Sequence, residues 1–329
     1  MGDCYIVRRA GEAKKLPVLN ASYPANVTNW QGEQATFRVE IATAGVPAEY
    51  TYQWYRDGAK WTGATNATVS WSSASVGSHS IYCVVTNKAG EVTSRVATLT
   101  VKNPNMAYTY SGSHEKIDDG SGNWRIKIKS SGTLKFTNLG KWNGVIDLFL
   151  VGGGGGTYEE GTRGASGGGG GGYTKTKKSI TVVEGTNYQI VVGAGGQAGA
   201  DGGSSSGFGQ SVSGGQGRSN NSNGGNGGSG GATYFAGSGG SDGGNGGGSG
   251  ATPGTGQGTT TREFGESTGT LYSGGGACAI VNNANDAGGA GGGGNAQQNG
   301  TANTGGGAGG SNENSHNGGS GIVVVRNHR

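Results

Sequence analysis

Cysteine, proline and long apolar runs are all scarce in this 329-residue chain, and each scarcity excludes a class of protein. The three cysteines, Cys4, Cys83 and Cys278, are far apart and odd in number, so neither a disulfide framework nor a paired-thiol motif can be read from them. Of five prolines only Pro253 lies beyond residue 151, and the glycines follow no strict three-residue period, which excludes collagen. No apolar run approaches the roughly 20 residues that cross a bilayer, so no membrane insertion is expected. The opening residues, Met1-Gly2-Asp3-Cys4-Tyr5-Ile6-Val7-Arg8-Arg9, lack the apolar stretch of a secretory signal, and synthesis in a reducing cytoplasm without export is the expectation.

Catalytic chemistry is equally thin. His79, His114, His316 and His328 are widely separated and show no metal-ligand spacing, so no metal is assigned. Matches to G-x-G-x-x-G are unavoidable in glycine tracts, and none joins a strand to a helix with an acidic residue about twenty positions on. No phosphate-loop lysine motif occurs. The acidic pairs Asp118-Asp119 and Glu159-Glu160 are sequence neighbours whose side chains diverge in extended chain, which disfavours a two-carboxylate glycosidase. No catalytic residue and no cofactor is assigned, and the chain is read as a non-enzyme.

Glycine, by contrast, is abundant and uneven. Of 77 glycines, 14 lie in residues 1–151 and 63 in the remaining 178. The first segment carries a net charge of +5 and the second −1, so the glycine-rich part offers no phosphate-neutralising surface and no nucleic acid is expected as partner. Glycine-rich composition alone favours disorder. Four apolar runs argue against it: Val145–Val151, Ile180–Val183, Tyr188–Val192 and Ile322–Val325. The first is continuous enough to be a strand buried on both faces, and the first and last bracket the whole glycine region. Glu184-Gly185-Thr186-Asn187 joins the middle two as a hairpin. Between the anchors, runs such as Gly152–Gly156, Gly167–Gly172 and Gly305–Gly310 can adopt three-fold geometry rising about 3.1 Å per residue and bond N–H to C=O between neighbours, because no side chain keeps them apart. Ordering glycine costs more backbone entropy than ordering any other residue, so many runs must assemble together.

Upstream, short β-branched or aromatic runs (Thr36–Ile41, Tyr50–Arg56, Thr68–Trp71, Ser80–Thr86, Arg95–Val101) alternate with turn signals such as Asp57-Gly58 and Lys88-Ala89-Gly90, the arithmetic of a sandwich. Gly32-Glu33-Gln34-Ala35-Thr36-Phe37-Arg38-Val39, Gln53-Trp54-Tyr55-Arg56-Asp57-Gly58 and Cys83-Val84-Val85-Thr86-Asn87-Lys88-Ala89-Gly90 resemble strands B, C and F of an immunoglobulin-like domain. The resemblance implies Trp54 as core tryptophan. Val39 stands where that family's first disulfide cysteine would be and Ile81 where its tyrosine corner would be, so Cys83 is left to pack as a small hydrophobe. Further on, Trp124, Ile126 and Ile128 alternate onto one face, Ser130-Ser131-Gly132 turns, and Leu134 and Phe136 return over it, which reads as a hairpin over 124–136.

Taken in order, Asp147-Leu148-Phe149-Leu150-Val151-Gly152-Gly153-Gly154, Gly170-Gly171-Gly172-Tyr173-Thr174-Lys175, Tyr188-Gln189-Ile190-Val191-Val192-Gly193 and Gly321-Ile322-Val323-Val324-Val325-Arg326 resemble the glycine-rich domain of bacteriophage tail-fibre proteins, including the polyglycine sandwich of tip adhesins. That resemblance implies a virion protein of the tail fibre or tail tip, with glycine helices as scaffold and the loops between them contacting a host receptor, a cell-surface polysaccharide or outer protein.

The resulting expectation is an all-β protein: an N-terminal attachment peptide at 1–22, an immunoglobulin-like domain at 23–102 and a glycine-rich domain at 103–329 whose scaffold runs over 145–326. Candidate receptor contacts are Tyr158, Phe208, Tyr234, Phe235, Arg262, Phe264 and Tyr272, aromatics and one cation in the inserts that interrupt the glycine runs. Tyr173 reads instead as a cap on the glycine layer. Tyr5, Ile6, Val7, Arg8 and Arg9 are candidates for docking onto other tail or baseplate proteins. No heptads support a coiled coil, so homotrimer and monomer both stay open. The alternatives are a structural fibre or baseplate decoration without receptor binding, and a bacterial surface glycine-rich protein.

Overall fold

The computed structural model describes residues 12–72, 74–158, 165–218, 224–232, 238, 244–246, 253–254, 260–280, 286–311 and 313–327. The described residues form several β-sheets and no α-helix; two short 3-10 turns occur at Gly140–Trp142 and Glu263–Gly265. The chain divides between Pro104 and Asn105 into two compact units.

In the first unit, one sheet runs in the order Val27–Trp30, Ala97–Lys102, Gly77–Asn87, Thr51–Arg56, Ala59–Lys60, and a separate pair joins Ala35–Arg38 to Thr68–Trp71. Period-two alternation sends Phe37 and Trp71 from the pair, and Trp54, Ile81, Cys83, Val85 and Leu99 from the sheet, into one shared core. Trp54 is wholly buried and its indole Nε1 donates to the Asn66 carbonyl at 2.8 Å, satisfying the one polar atom it brings inside. Cys83, opposite Trp54 in the register, is a free buried thiol whose pKa burial pushes up to about 11, so it behaves as a small apolar side chain.

On the rim of this unit the His79 Nδ1 lies 2.8 Å from Asp57 Oδ2, and Asp57 Oδ1 accepts the Ser80 N–H at 2.9 Å. The hydrogen bond to Asp57, then that to the Ser75 carbonyl, raise the His79 pKa above its ordinary 6.5.

The second unit is built on two sheets. Its main strands are β1 (Ala107–Tyr110), β2 (His114–Gly120), β3 (Asn123–Ile128), β4 (Gly132–Asn138), β5 (Val145–Val151), β6 (Thr174–Thr181), β7 (Asn187–Ile190) and β8 (Ile322–Asn327). One sheet has the order β1-β4-β7 and the other β2-β3-β8-β5-β6. Trp124, Ile126, Ile128, Leu134, Phe136, Leu148, Leu150, Val323 and Val325 form the core between them. The opposite face of β5 and β8 is buried too, with Phe149, Val151, Ile322 and Val324 packed against Phe264 and Tyr272. Both outer strands of the five-stranded sheet turn cations toward the core side. Lys116 and His114 of β2 sit opposite Ile126 and Ile128, and Lys175 and Lys177 of β6 sit opposite Leu150 and Leu148. Inward-pointing charge of this kind discourages a further strand from adding to a free edge.

Two expected hairpins are corrected. The strands over 124–136 face each other across the core but do not pair: β3 bonds to β2 and β8, and β4 bonds to β1 and β7. Likewise β6 pairs with β5 and β7 with β4, so Glu184–Asn187 carries the chain from one sheet to the other. Complementary apolar faces are shared by a hairpin and by two packed sheets, and sequence periodicity does not separate them.

The glycine runs grow from the ends of these strands and bond with a period of three. Along one run, Gly152 donates to Tyr173, Gly153 to Gly203, Gly154 to Gly319, Gly155 to Gly170, Gly156 to Ala200 and Thr157 to His316. Positions three apart thus serve the same neighbouring run, read antiparallel. The same run accepts from Gly215, Gly196, Ala308 and Arg218. The next run repeats the arrangement: Gly168 and Gly171 donate to Ala232 and Ser229, Gly169 and Gly172 to Ala308 and Gly305, and Gly170 and Tyr173 to Gln216 and Ser213. Every third donor pointing the same way is what a three-residue helical turn gives. A Cβ placed on Gly154 would overlap the Gly306 carbonyl, and one on Gly169 the Gly155 carbonyl, so hydrogen bonding at this spacing requires glycine there. Among the side chains admitted, Ser205 is tied in by its hydroxyl: Oγ accepts the Gly193 N–H at 2.9 Å and donates to the Val151 carbonyl at 2.6 Å.

Two outcomes follow. Gly154→Ala will lower the stability of the second unit by at least about 3 kcal/mol, since backbone and not side chain must move. Gly185→Ala, at a turn with φ of +80° and no atom within 4 Å of the added Cβ, will cost only about 1 kcal/mol; denaturant unfolding monitored on both variants checks the difference. For the first unit, a raised His79 pKa gives stability that is full below the unfolded value of 6.5 and is lost as pH rises through the higher folded value. Its melting temperature will therefore fall over that window, and His79→Gln will flatten the profile.

Candidate functional site

The longest non-glycine insert, described here over residues 260–272, lies across the outer face of β5 and β8. Its placement follows from three buried side chains. Phe264, 2% exposed, and Tyr272, 3% exposed, pack on Phe149 with ring centroids 6.1 and 5.5 Å apart. Glu263 is 1% exposed, yet its carboxylate is well served: it accepts from Arg125 at 2.9 Å and from the Tyr272 hydroxyl at 3.1 Å, with Lys127 Nζ at 3.3 Å. Burial and then the Glu263 carboxylate push the Tyr272 hydroxyl pKa well up, so it remains a donor. Burial opposes the Arg125 charge, but Glu263 and Asp119 more than offset it and its pKa is raised.

A second ionic group holds the other side of the insert. Arg326 Nη1 donates to Glu266 at 2.6 Å, while its Nε and Nη2 both donate to the buried Asp147 at 3.2 Å. The Arg326 guanidinium carbon lies 4.0 Å from the centroid of Phe264. Asp147 is in turn oriented by the Ser179 N–H at 2.9 Å, at a bulge between β5 and β6. Phe264 itself has φ of +56°, an uncommon conformation for an aromatic residue, held by packing on one face and a cation on the other.

These clamps leave a cleft of about 390 Å³ between insert and sheet. Asp119, Asn123 and Arg125 form the sheet side, Glu266, Thr268 and Thr270 the insert side, and Arg326 lies between. Asp119 pairs with Arg125 at 3.2 Å, so the cleft's charges are mutually compensated. What remains to a ligand is a wall of hydroxyl groups on the clamped insert and amide, carboxylate and guanidinium groups on the sheet side, suited to a neutral, multiply hydroxylated molecule. Among the described residues no cluster of three or more metal-ligating side chains occurs.

Of the residues singled out from sequence, Arg262, Phe264 and Tyr272 are brought together here, but not as contacts. Phe264 and Tyr272 are corrected to anchors, because their rings fill the space over Phe149 and reach no surface. Half-buried Arg262 donates to the Gly269 carbonyl at 3.0 Å and shapes the insert's turn. Phe208 is half-buried and packs on Tyr188 and Phe136, with centroids 4.8 and 6.5 Å away, at the rim of the other core. Tyr158, 56% exposed, does present its ring to solvent at the end of the run that starts at Gly152. Tyr234 and Phe235 lie outside the described residues, as do Tyr5, Ile6, Val7, Arg8 and Arg9. The cleft residues Arg125, Thr268 and Thr270 carry no reading from the sequence, and Asp119 enters there only as half of an acidic pair. For Arg125 the signal was present, since alternation between Trp124 and Ile126 already sets it on the opposite face.

Glu263→Gln will leave Arg125 and Lys127 without their shared counter-charge. A loss of about 2 kcal/mol is expected, reduced from the usual cost of breaking a buried pair because the Arg125 side chain is 33% exposed. Chemical denaturation of the full chain measures it, and Glu266→Gln, at a more exposed carboxylate, will cost less than half as much.

Comparison with known proteins adds a family. No curated protein matches the chain. Among solved structures, a quinonprotein alcohol dehydrogenase-like protein from Bacteroides thetaiotaomicron aligns at 10% identity and a TM-score of 0.23, over 61% of this chain and 50% of that one, so this chain spans half that protein's length. A structure described as carbohydrate-binding modules of promiscuous specificity from the β-sandwich superfamily aligns at 14% identity and a TM-score of 0.21, over 55% of this chain and 84% of that one. At these TM-scores neither bears on the fold or the function. A family model described as a glycine-rich domain matches residues 129–328, from the end of β3 through β8, and by that match the chain belongs to the glycine-rich domain family.

Proposed function

We propose that this protein is a non-enzymatic adhesin of a bacteriophage tail fibre or tail tip. In this reading the first unit is an immunoglobulin-like spacer and the glycine runs of the second adopt polyglycine-II geometry. The loops at the margin of that scaffold meet a host cell-surface polysaccharide or outer protein, and the segment containing Tyr5–Arg9 docks onto other tail or baseplate proteins. The observation that carries the proposal is the division of labour in the second unit. The interior of its glycine scaffold is backbone bonded to backbone at a spacing that excludes most side chains, so side-chain chemistry is left to the strands and to inserts such as 260–272. Loops on a rigid scaffold are the usual place for recognition. The insert is held from beneath by Phe264, Tyr272 and Glu263, which leaves Glu266, Thr268 and Thr270 at the cleft without further ordering on binding.

A second reading, a structural fibre or baseplate decoration, is favoured by the burial of the aromatic rings of the insert. Adsorption separates the two. Labelled full-length protein is incubated with a panel of bacterial isolates, and bound protein is competed against infecting phage. Saturable adsorption to a subset of strains is expected, with Thr268→Ala/Thr270→Ala and Tyr158→Ala each lowering it at least tenfold while leaving the melting temperature unchanged. Adsorption to no strain that the parent phage infects would sink the adhesin and leave the decoration.

A further inference from the structure

The two sheets of the second unit do not close at one side. There β1, at the edge of the three-stranded sheet, faces β2, at the edge of the five-stranded one, across an open cleft of about 460 Å³. That volume lies within the range of small-molecule sites. Tyr108 and Tyr110 line one wall; two residues apart on a strand, they share a face at about 7 Å spacing. His114 and Lys116 line the other wall, also two apart and on one face. The His114 ring stands edge-on to both tyrosines, 5.7 Å from Tyr108 and 5.4 Å from Tyr110. Behind them Met106 closes the floor and Trp124 supports Tyr108 at 5.1 Å.

The electrostatics are one-sided. Lys116 and His114 line the cleft, and no carboxylate does. Glu115 alternates to the opposite face, where it is bonded to Lys129 at 2.9 Å, and Asp118, the next acid on the cleft's face of β2, lies beyond the lining. The tyrosines add no negative charge, because burial pushes both hydroxyls up to about 12. Tyr110 donates its proton to the Ser130 carbonyl at 2.5 Å, which leaves its oxygen lone pairs as acceptors. Aromatic walls, hydroxyl acceptors and an uncompensated ammonium select a ring-shaped, hydroxylated anion.

We propose that this cleft binds one acidic sugar residue, with its ring against Tyr108 and Tyr110 and its carboxylate at Lys116 and His114. The surface is separate from the cleft beneath the 260–272 insert, and its test needs no host cell, so adsorption and sugar binding stand or fall independently. Purified full-length protein is titrated with glucuronate, glucose and acetate while the tyrosine ring resonances are followed by NMR. Glucuronate will shift the Tyr108 and Tyr110 resonances saturably, with an affinity at least tenfold above that of glucose or acetate. Lys116→Gln will lower the glucuronate affinity at least tenfold and Lys116→Arg will keep it within threefold. Equal affinity for all three probes overturns the proposal. So does unchanged glucuronate binding by Lys116→Gln accompanied by concentration-dependent self-association, the outcome expected if Lys116 only guards the strand edge.

Discussion

The second unit depends on one close approach: backbone N–H to backbone C=O between runs so near that a Cβ at most of their positions would overlap a carbonyl. Hydrogen bonds between peptide groups are individually modest in water, and glycine is the costliest residue to order. The runs compensate by number and by geometry. With a period of three, successive donors of one run reach three different neighbours, and further neighbours donate to its carbonyls, so each run is held from several sides. Among the described residues the lattice's own apolar cluster is small, the three alanines Ala277, Ala279 and Ala296. The lattice is seeded by β5 and β8, which enter and leave it as apolar strands paired to each other, and by Ser205 and Thr157, whose hydroxyls bond to carbonyls inside it.

This construction separates stability from chemistry. Side chains are largely excluded from the lattice and collect in the two-sheet core, on the outer face of β5 and β8, and in the inserts. The 260–272 insert shows the consequence: its apolar and acidic side chains serve to hold it down, and its small polar residues are what face the cleft. Glu263 is unusual in being almost wholly buried, but the two cations and the phenol that surround it supply the charge and the hydrogen bonds that burial removes. Exposed strand edges, the other hazard of an all-β chain, carry lysine turned inward on both sides of the five-stranded sheet.

Much of the scaffold is legible in the amino-acid sequence. Val145–Val151 read as a strand buried on both faces because it has no polar alternation beyond Asp147, and it is buried on both faces with Asp147 neutralised by Arg326. The bracketing of the glycine region by that strand and Ile322–Val325 is realised as direct pairing. The pairing of β3 and β4 was not legible, since Trp124, Ile126, Ile128, Leu134 and Phe136 present the same pattern whether they bond within one sheet or pack between two. Phe264 and Tyr272 read as contact residues for a related reason: an aromatic residue in a loop looks the same whether its ring points out or in. Tyr108 and Tyr110 carry no such signal in the sequence, because a cleft between two edge strands exists only once both sheets are assembled.

Composition and apolar punctuation alone determined that the chain is all-β, that glycine dominates its second part, and that this part is anchored by a few strands. Those properties follow from local rules: which residues alternate, which lack a side chain, which break a helix. Tertiary structure decided which strands bond, which rings are anchors, and where the two clefts lie. Each of these is set by contacts between residues as far apart as Arg125 and Glu263 or Asp147 and Arg326, where shape and charge complementarity, invisible in local periodicity, select one packing among several of the same pattern.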